Sequence, residues 1–138
     1  MSTKIFVNLP VKDLDKSIGF FEQLGYSFNP QFTDEKGACM VISDDIYAML
    51  LVEPFFKSFT DKEIVDTSKG AEAIVALGVE SRERVDELAD KALAAGGKPS
   101  KEPMDEGFMY GRSFQDLDGH LWEVFWMDPS AVEGEGKE

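Results

Sequence analysis

GHLWEVFWMDP, residues 119–129, repeats in shape the stretch DIYAMLLVEP at residues 45–54. Trp122 falls over Tyr47, Glu123 over Ala48, and Asp128-Pro129 over Glu53-Pro54. The copies differ most in chemistry at one place, where the carboxylate of Glu123 faces an alanine. Paired modules of this kind can enclose a pocket, so this difference directs attention to Glu123.

The repeat extends upstream. FVNLPVKDLDKSIGFFEQLGY, residues 6–26, opens as an apolar strand, passes an Asp-rich turn, and carries Ile18, Phe21 and Leu24 at helical spacing before Gly25. IVALGVESRERVDELADKALAAGG, residues 74–97, does the same. Here Ser81 suits a helix N-cap, and Val85, Leu88, Ala89, Ala92 and Leu93 form the apolar stripe. Three β-prone runs follow the first helix, around Tyr26–Phe32, Ala38–Ser43 and Ile46–Val52, with Asp44-Asp45 as a tight hairpin turn. After the second helix come a short strand or connector at Pro99–Pro103, a strand at Phe108–Phe114, a turn at Asp118-Gly119, and a last strand at Leu121–Met127. The order is βαβββ twice. The boundaries are a first module at 1–52, a linker at 53–70 with a helical turn around Phe55–Phe59, a second module at 71–129, and a flexible polar tail at 130–138.

At 138 residues and 43% hydrophobic, the chain suits one domain, or two half-domains sharing a core. A single cysteine excludes an internal disulfide, and Cys39 in its apolar strand reads as a small buried hydrophobe in a reducing compartment. No apolar run reaches membrane-spanning length, and MSTKIFVNLP has no signal-type apolar core, so the expectation is a cytoplasmic protein without membrane contact. A net charge of -13 argues against nucleic acid, whose binding rests on Lys and Arg. The acidic excess reads as a solubility feature that mildly favours cationic ligands.

FVNLPVKDLDKSIGFFEQLGY, the repeat, and DLDGHLWEVFWMDP together resemble the vicinal oxygen chelate superfamily, the glyoxalase, bleomycin-resistance and extradiol dioxygenase group, over about residues 4–129. Within it the chain looks most like the bacterial subgroup labelled predicted lactoylglutathione lyase. The fold this implies is α+β: two βαβββ modules in tandem forming an open curved β-sheet, a half-barrel around a cleft, with helices on the outer face. The resemblance also implies a homodimer, with pockets formed within one chain or swapped between chains. It says little about chemistry, because the superfamily hosts lyases, epimerases, dioxygenases, thiol transferases and binding proteins.

In metal-using members the ligands are His or Gln at the start of each first strand and Glu in the middle of each last strand. Mapped through the repeat, those positions are Phe6, Ile74, Ala48 and Glu123. Three are apolar, whereas zinc and non-haem iron centres use three or more protein donors. No metal and no cofactor is therefore expected. The single histidine, His120, is three residues from Glu123, so strand alternation sends the two to opposite faces, and its place beside the turn suits a backbone-bonded structural role.

Taking Glu123 as pocket-facing by resemblance, Leu121 and Phe125 share its face, while Trp122, Val124 and Trp126 turn to the helices. The matching faces elsewhere are Phe6, Asn8 and Pro10; Ile46, Ala48, Leu50 and Val52; and Ile74, Ala76 and Gly78. In the strand MYGRSF either Tyr110, Arg112 and Phe114 or Met109, Gly111 and Ser113 point inward; inward, Tyr110 would stack on a ligand and Arg112 would pair with Glu123 or an anionic ligand group.

An apolar pocket with one carboxylate and one carboxamide suits a small apolar or aromatic molecule, including a cationic one. The favoured reading is a metal-independent binding or sequestering protein. The alternative is a lyase or isomerase of the glyoxalase kind with Glu123 as general base or metal ligand; it lacks a visible group to stabilise the enediolate. A third reading keeps only a protein contact. The glycines do not form a phosphate loop, and neither a Ser-His-Asp set nor Cys-His metal spacing is present.

Overall fold

The computed structural model describes residues 2–131. Two compact units divide between Glu72 and Ala73. Of the tail expected at 130–138, residues 132–138 lie outside the described residues.

The first unit begins with strand β1 (Ile5–Val11) and helix α1 (Leu14–Gln23). Asp13 caps the helix by accepting from the Lys16 amide, and Leu14, Ser17, Phe20 and Phe21 form its buried side. Strands β2 (Ser27–Asn29), β3 (Gly37–Val41) and β4 (Ile46–Val52) follow, with a 3-10 turn at Pro30–Phe32. β2 is shorter than the run Tyr26–Phe32 suggested, because Asn29 caps the Gln31 amide and Pro30 starts the turn. The sheet order is β1-β4-β3-β2, with β1 parallel to β4 and the other pairs antiparallel. Helix α2 (Glu53–Lys57) starts directly after β4, with Pro54 in its first turn.

The second unit repeats the plan. Strand β5 (Ile74–Gly78) leads to helix α3 (Arg82–Ala94), whose cap Ser81 accepts from the Arg84 amide at 3.1 Å. Val85, Leu88, Ala89 and Ala92 are buried, whereas Leu93 at the end of the stripe is exposed. Gly25 and Gly96, just past the two long helices, take φ of 103° and 110°, the left-handed conformation that ends a helix most cheaply in glycine. Two two-residue strands, β6 (Lys98–Pro99) and β7 (Met104–Asp105), then pair with the hairpin β8 (Met109–Gln115) and β9 (Leu121–Met127). The order β5-β9-β8-β6 is open, with β7 on β8 and β5 parallel to β9. The fold is α+β, two βαβββ modules in tandem, each with its own open sheet and its helix packed on one face. Among the described residues no helix is long and apolar enough to cross a membrane.

The first β-hairpin keeps the tight turn expected at Asp44-Asp45, with Ser43 and Ile46 exchanging backbone bonds at 3.0 and 3.4 Å, but Ile42 also donates to the Ile46 carbonyl at 2.9 Å, a one-residue bulge. The second differs from the turn expected at Asp118-Gly119: the Gly119 amide donates to the Asp116 carbonyl at 3.1 Å, so the turn lies at Leu117-Asp118. β3 and β4 pair Val41 with Tyr47, and β8 and β9 pair Gln115 with Leu121, so the ladder registers are centred on Asp44 and Asp118. In the second, buried Asp116 accepts from the amides of Asp118 and His120 and from Trp122 Nε1 at 2.9 Å. His120 is itself buried beside it. Burial pushes the Asp116 carboxyl up, against the neighbouring His120 and the hydrogen bonds it accepts, which pull it down.

Candidate functional site

Strand alternation and the ladder registers assign every side chain to a face. In β9, Trp122 and Val124 are buried toward α3, while Leu121, Glu123, Phe125 and Met127 turn away from it. Cross-strand partners share a face, so Met109, Gly111 and Ser113, opposite Met127, Phe125 and Glu123, stand on the Glu123 side. Ala76 and Gly78 of β5, opposite Glu123 and Phe125, complete it.

The result is a trough along β9. Glu123 is flanked by Ala76 and Ser113, and Phe125 by two glycines, Gly78 and Gly111. Small residues on both sides leave space beside each large one. At Gly78 the fit is tight: an added Cβ would lie 3.3 Å from Phe125 Cζ, so the ring rests on the bare backbone. A cleft of about 670 Å³ opens here, with Ala76, Glu123 and Phe125 on its floor and Met104, Met109 and Met127 around them. Lys101 and Glu102 bring charge to its rim. Unbranched thioethers adapt their shape to what they touch and contact aromatic rings favourably.

Glu123 is exposed, and its carboxylate has no hydrogen-bond or ion-pair partner among the described residues. Ser113 Oγ accepts from the Lys101 amide at 2.8 Å, tying the rim to β8.

Tyr110 and Arg112, expected at the ligand, are corrected to the helix side of the sheet. The Tyr110 hydroxyl donates to Asp86 Oδ1 at 2.6 Å, and Arg112 Nη1 donates to Asp86 at 3.0 Å and Asp90 at 2.9 Å. Arg112 edges the cleft, but its guanidinium is held by α3. These bonds pull the Asp86 carboxyl down, Tyr110 contributing most, and push the Tyr110 hydroxyl up.

The first module requires a second correction. Phe6, Asn8 and Pro10 of β1 pair with Tyr47, Met49 and Leu51, not with Ala48 and Leu50. Phe6 stacks on Tyr47 with centroids 4.8 Å apart. Ala48 and Leu50 point the other way and are 0% exposed. Measured from the loop centres Asp44 and Asp118, Met49 is the counterpart of Glu123, and Tyr47 that of Leu121. The alignment on Glu53-Pro54 and Asp128-Pro129 is displaced by one residue, which on a strand reverses every side chain. Phe6 and Asn8 stand on the Met49 side of their own sheet, where a smaller depression of about 330 Å³ includes Met49, Leu51 and Phe55 of α2. Leu121 and Ile74 share the Glu123 face, one row beyond the cleft.

The corrected positions corresponding to the family's metal ligands hold Phe6, Met49, Ile74 and Glu123. One carboxylate and one thioether do not fit a zinc or non-haem iron centre. Among the described residues no group of three or more His, Cys, Asp or Glu side chains is placed to hold a metal ion.

Two tandem βαβββ modules, each with an open sheet, define the class of fold. The family described as bleomycin resistance protein-like N-terminal matches residues 3–43. A hypothetical protein of S. aureus is 32% identical, with 91% of this chain and 95% of that one covered at a TM-score of 0.75. A glyoxalase/bleomycin resistance protein/dioxygenase family enzyme of Burkholderia phytofirmans PsJN is 16% identical over 91% and 99% of the two chains, TM-score 0.76. The fosfomycin resistance protein FosX of Listeria monocytogenes is 20% identical over 94% and 97%, TM-score 0.66. Comparison with curated proteins found no match. The chain thus shares the fold of glyoxalase/bleomycin resistance protein/dioxygenase family proteins, and its first module matches the bleomycin resistance protein-like family.

Proposed function

We propose that the second-module cleft binds and sequesters a small molecule without a metal, and that its ligand combines an apolar or aromatic body with a hydrogen-donating cationic group. The observation carrying this reading is the unpartnered Glu123 carboxylate, set between Ala76 and Ser113 at one end of a trough whose other end is Phe125 and methionine. The body lies against Phe125, Met104, Met109 and Met127, and the cation meets Glu123. A net charge of -13 draws such ligands at long range.

The lyase alternative is less well supported. Glu123 is exposed, and the donor set does not fit the metal that would stabilise an enediolate. A homodimer is part of the proposal: Phe6 is 49% and Ile74 57% exposed, and a second copy would cover such apolar residues. Light scattering on the purified chain tests it. A cytoplasmic setting suits the unpaired thiol of Cys39.

Thermal melting tests the binding reading, with Ni²⁺, Zn²⁺, Mn²⁺ and Fe²⁺ in one series and bleomycin and the cationic dye thioflavin T in another. A ligand bound only by the folded chain raises the melting temperature by mass action. The expected result is a shift with an organic cation that Glu123→Gln abolishes, and none with metals. A metal shift removed by Glu123→Ala, or an organic shift unaffected by Glu123→Gln, overturns the reading.

A further inference from the structure

Every residue from 98 to 108 is exposed, yet Lys101, Glu102 and Met104 form one side of the cleft. The core therefore does not hold this wall in place. Its ladder contacts are two pairs in β6 and two in β7. The Lys101 backbone adds a tie to Ser113 Oγ.

Gln115 Nε2 donates to the Pro99 carbonyl at 3.3 Å, and the Glu106 and Asp128 amides donate to the Met109 and Phe108 carbonyls at 2.8 and 2.7 Å. A further attachment is Arg82, the first residue of α3. Its Nη1 and Nη2 donate to the two carboxylate oxygens of Asp105 at 3.1 and 2.6 Å, and Nη2 also reaches the Gly107 carbonyl at 3.3 Å. The guanidinium lies over Tyr110 and Trp126, 4.9 and 5.5 Å from the ring centres. Asp105 in turn accepts from the Gly107 amide at 3.0 Å, closing the turn that follows β7. One guanidinium therefore ties the wall to helix α3 and to the ends of β8 and β9. In a two-residue strand, alternation sends Asp105 toward Arg82 and its neighbour Met104 into the cleft.

We infer that Arg82 and Asp105 are positioning residues for the cleft: their fork-to-carboxylate pair holds segment 100–107 as a strap against the sheet and sets how long a ligand bound beside Met104 stays. The ligand part of this inference rests on the binding reading above; the holding part does not. Arg82 holds Asp105 down to about 2, so the latch remains charged through mildly acidic conditions. An exposed ion pair is weakened by salt, whereas the guanidinium's van der Waals contact with the two ring faces persists, so salt loosens the strap without releasing it.

Hydrogen–deuterium exchange of the free protein and thioflavin T dissociation, both on the full chain, test the two parts separately. Asp105→Asn and Arg82→Gln are expected to speed exchange of the 100–107 amides, and dye release, by roughly three- to tenfold, the range for losing an exposed pair and its ring contacts. Exchange in β9 and in the centre of α3 should not change. Arg82→Lys, which keeps the charge but loses the planar fork, should recover only part of the effect. Unchanged exchange at 100–107, or an equal rise across the whole chain, overturns the latch. If exchange rises there while dye release does not, the strap is not a wall of the binding site. If the wild type does not bind the dye, the binding reading loses that ligand, and exchange alone decides the latch.

Discussion

Replacing Ala48 with glutamate and, separately, Met49 with glutamate sets two adjacent positions against each other. Ala48 is 0% exposed, on the α1 side of the sheet, between Val7 of β1 and Met40 of β3. A carboxylate introduced there meets no cation on either neighbour and stays protonated or forces the packing open. Buried carboxyls without partners rise by up to about 3–5 units, which leaves the group protonated at pH 7; at about 1.4 kcal/mol for each of the roughly 2.7 units between pH 7 and the ordinary glutamate value, the cost there is about 3–4 kcal/mol. Overpacking next to Met40, itself 0% exposed, adds about 1–3 kcal/mol. Together these reach the lower part of the roughly 5–15 kcal/mol that holds a domain folded. Met49 lies on the other face, where Glu123 stands in the second module, and is only half-buried. Its replacement loses part of one thioether contact, about 0.5–1.5 kcal/mol. Urea titration followed by far-ultraviolet circular dichroism, with proton NMR dispersion as a check on folding, measures both variants. Ala48→Glu should be unfolded or nearly so, and Met49→Glu folded. If Met49→Glu is as damaging as Ala48→Glu, or Ala48→Glu melts like the wild type, the assigned register of β4 is wrong.

Tyr110→Phe removes the hydroxyl that donates to Asp86, so stability should fall by about 0.5–1.5 kcal/mol while thioflavin T affinity is unchanged; a lost affinity would return Tyr110 to the ligand side. Asp116→Asn sets an amide N–H against one of three donors and should cost about 2–4 kcal/mol, with altered near-ultraviolet dichroism from Trp122. Because burial raises the folded Asp116 carboxyl above its ordinary 3.8, its contribution is greatest below that value and declines as pH rises through the folded one. The gap between wild type and Asp116→Asn should therefore narrow with rising pH, and a widening gap in melts across that range refutes the assignment. Gly78→Ala places a Cβ 3.3 Å from Phe125 Cζ and tips the ring, so ligand affinity should drop with stability changed by no more than about 1 kcal/mol; unchanged Phe125 chemical shifts would contradict this.

Much of this architecture was legible because it rests on local signals. Asp13 and Ser81 announce the helices, the stripe from Val85 to Ala92 gives the buried side of α3, and Trp122 and Val124 alternating with Glu123 and Phe125 give the faces of β9. The parity of the other strands was not legible, because it depends on loop length. A two-residue turn at Asp118-Gly119 and the loop centred on Asp118 differ by one residue, and that residue decides whether Tyr110 and Arg112 or Gly111 and Ser113 face the cleft. The usable signal was Asp116 itself, an acid placed to accept from the amides of a wider loop. Met104, Lys101 and Glu102 gave no periodic signal, since β7 is two residues long, Lys101 and Glu102 lie between it and the equally short β6, and all three are exposed.

The cleft follows from side-chain size more than from polarity. In the first module the neighbours of Met49 are Asn8 and Cys39, and those of Leu51 are Pro10 and Gly37. In the second, Glu123 lies between Ala76 and Ser113, and Phe125 between Gly78 and Gly111. The first module has a depression of about 330 Å³, lined largely by Gln31–Asp34 and Phe55, and the second a cleft of about 670 Å³ floored by Ala76, Glu123 and Phe125. With the space comes the carboxylate: Glu123 stands where the first module has Met49, between neighbours too small to cover it. Small neighbours on both sides of a lone carboxylate keep that carboxylate reachable, and reachability is what a binding role for Glu123 requires.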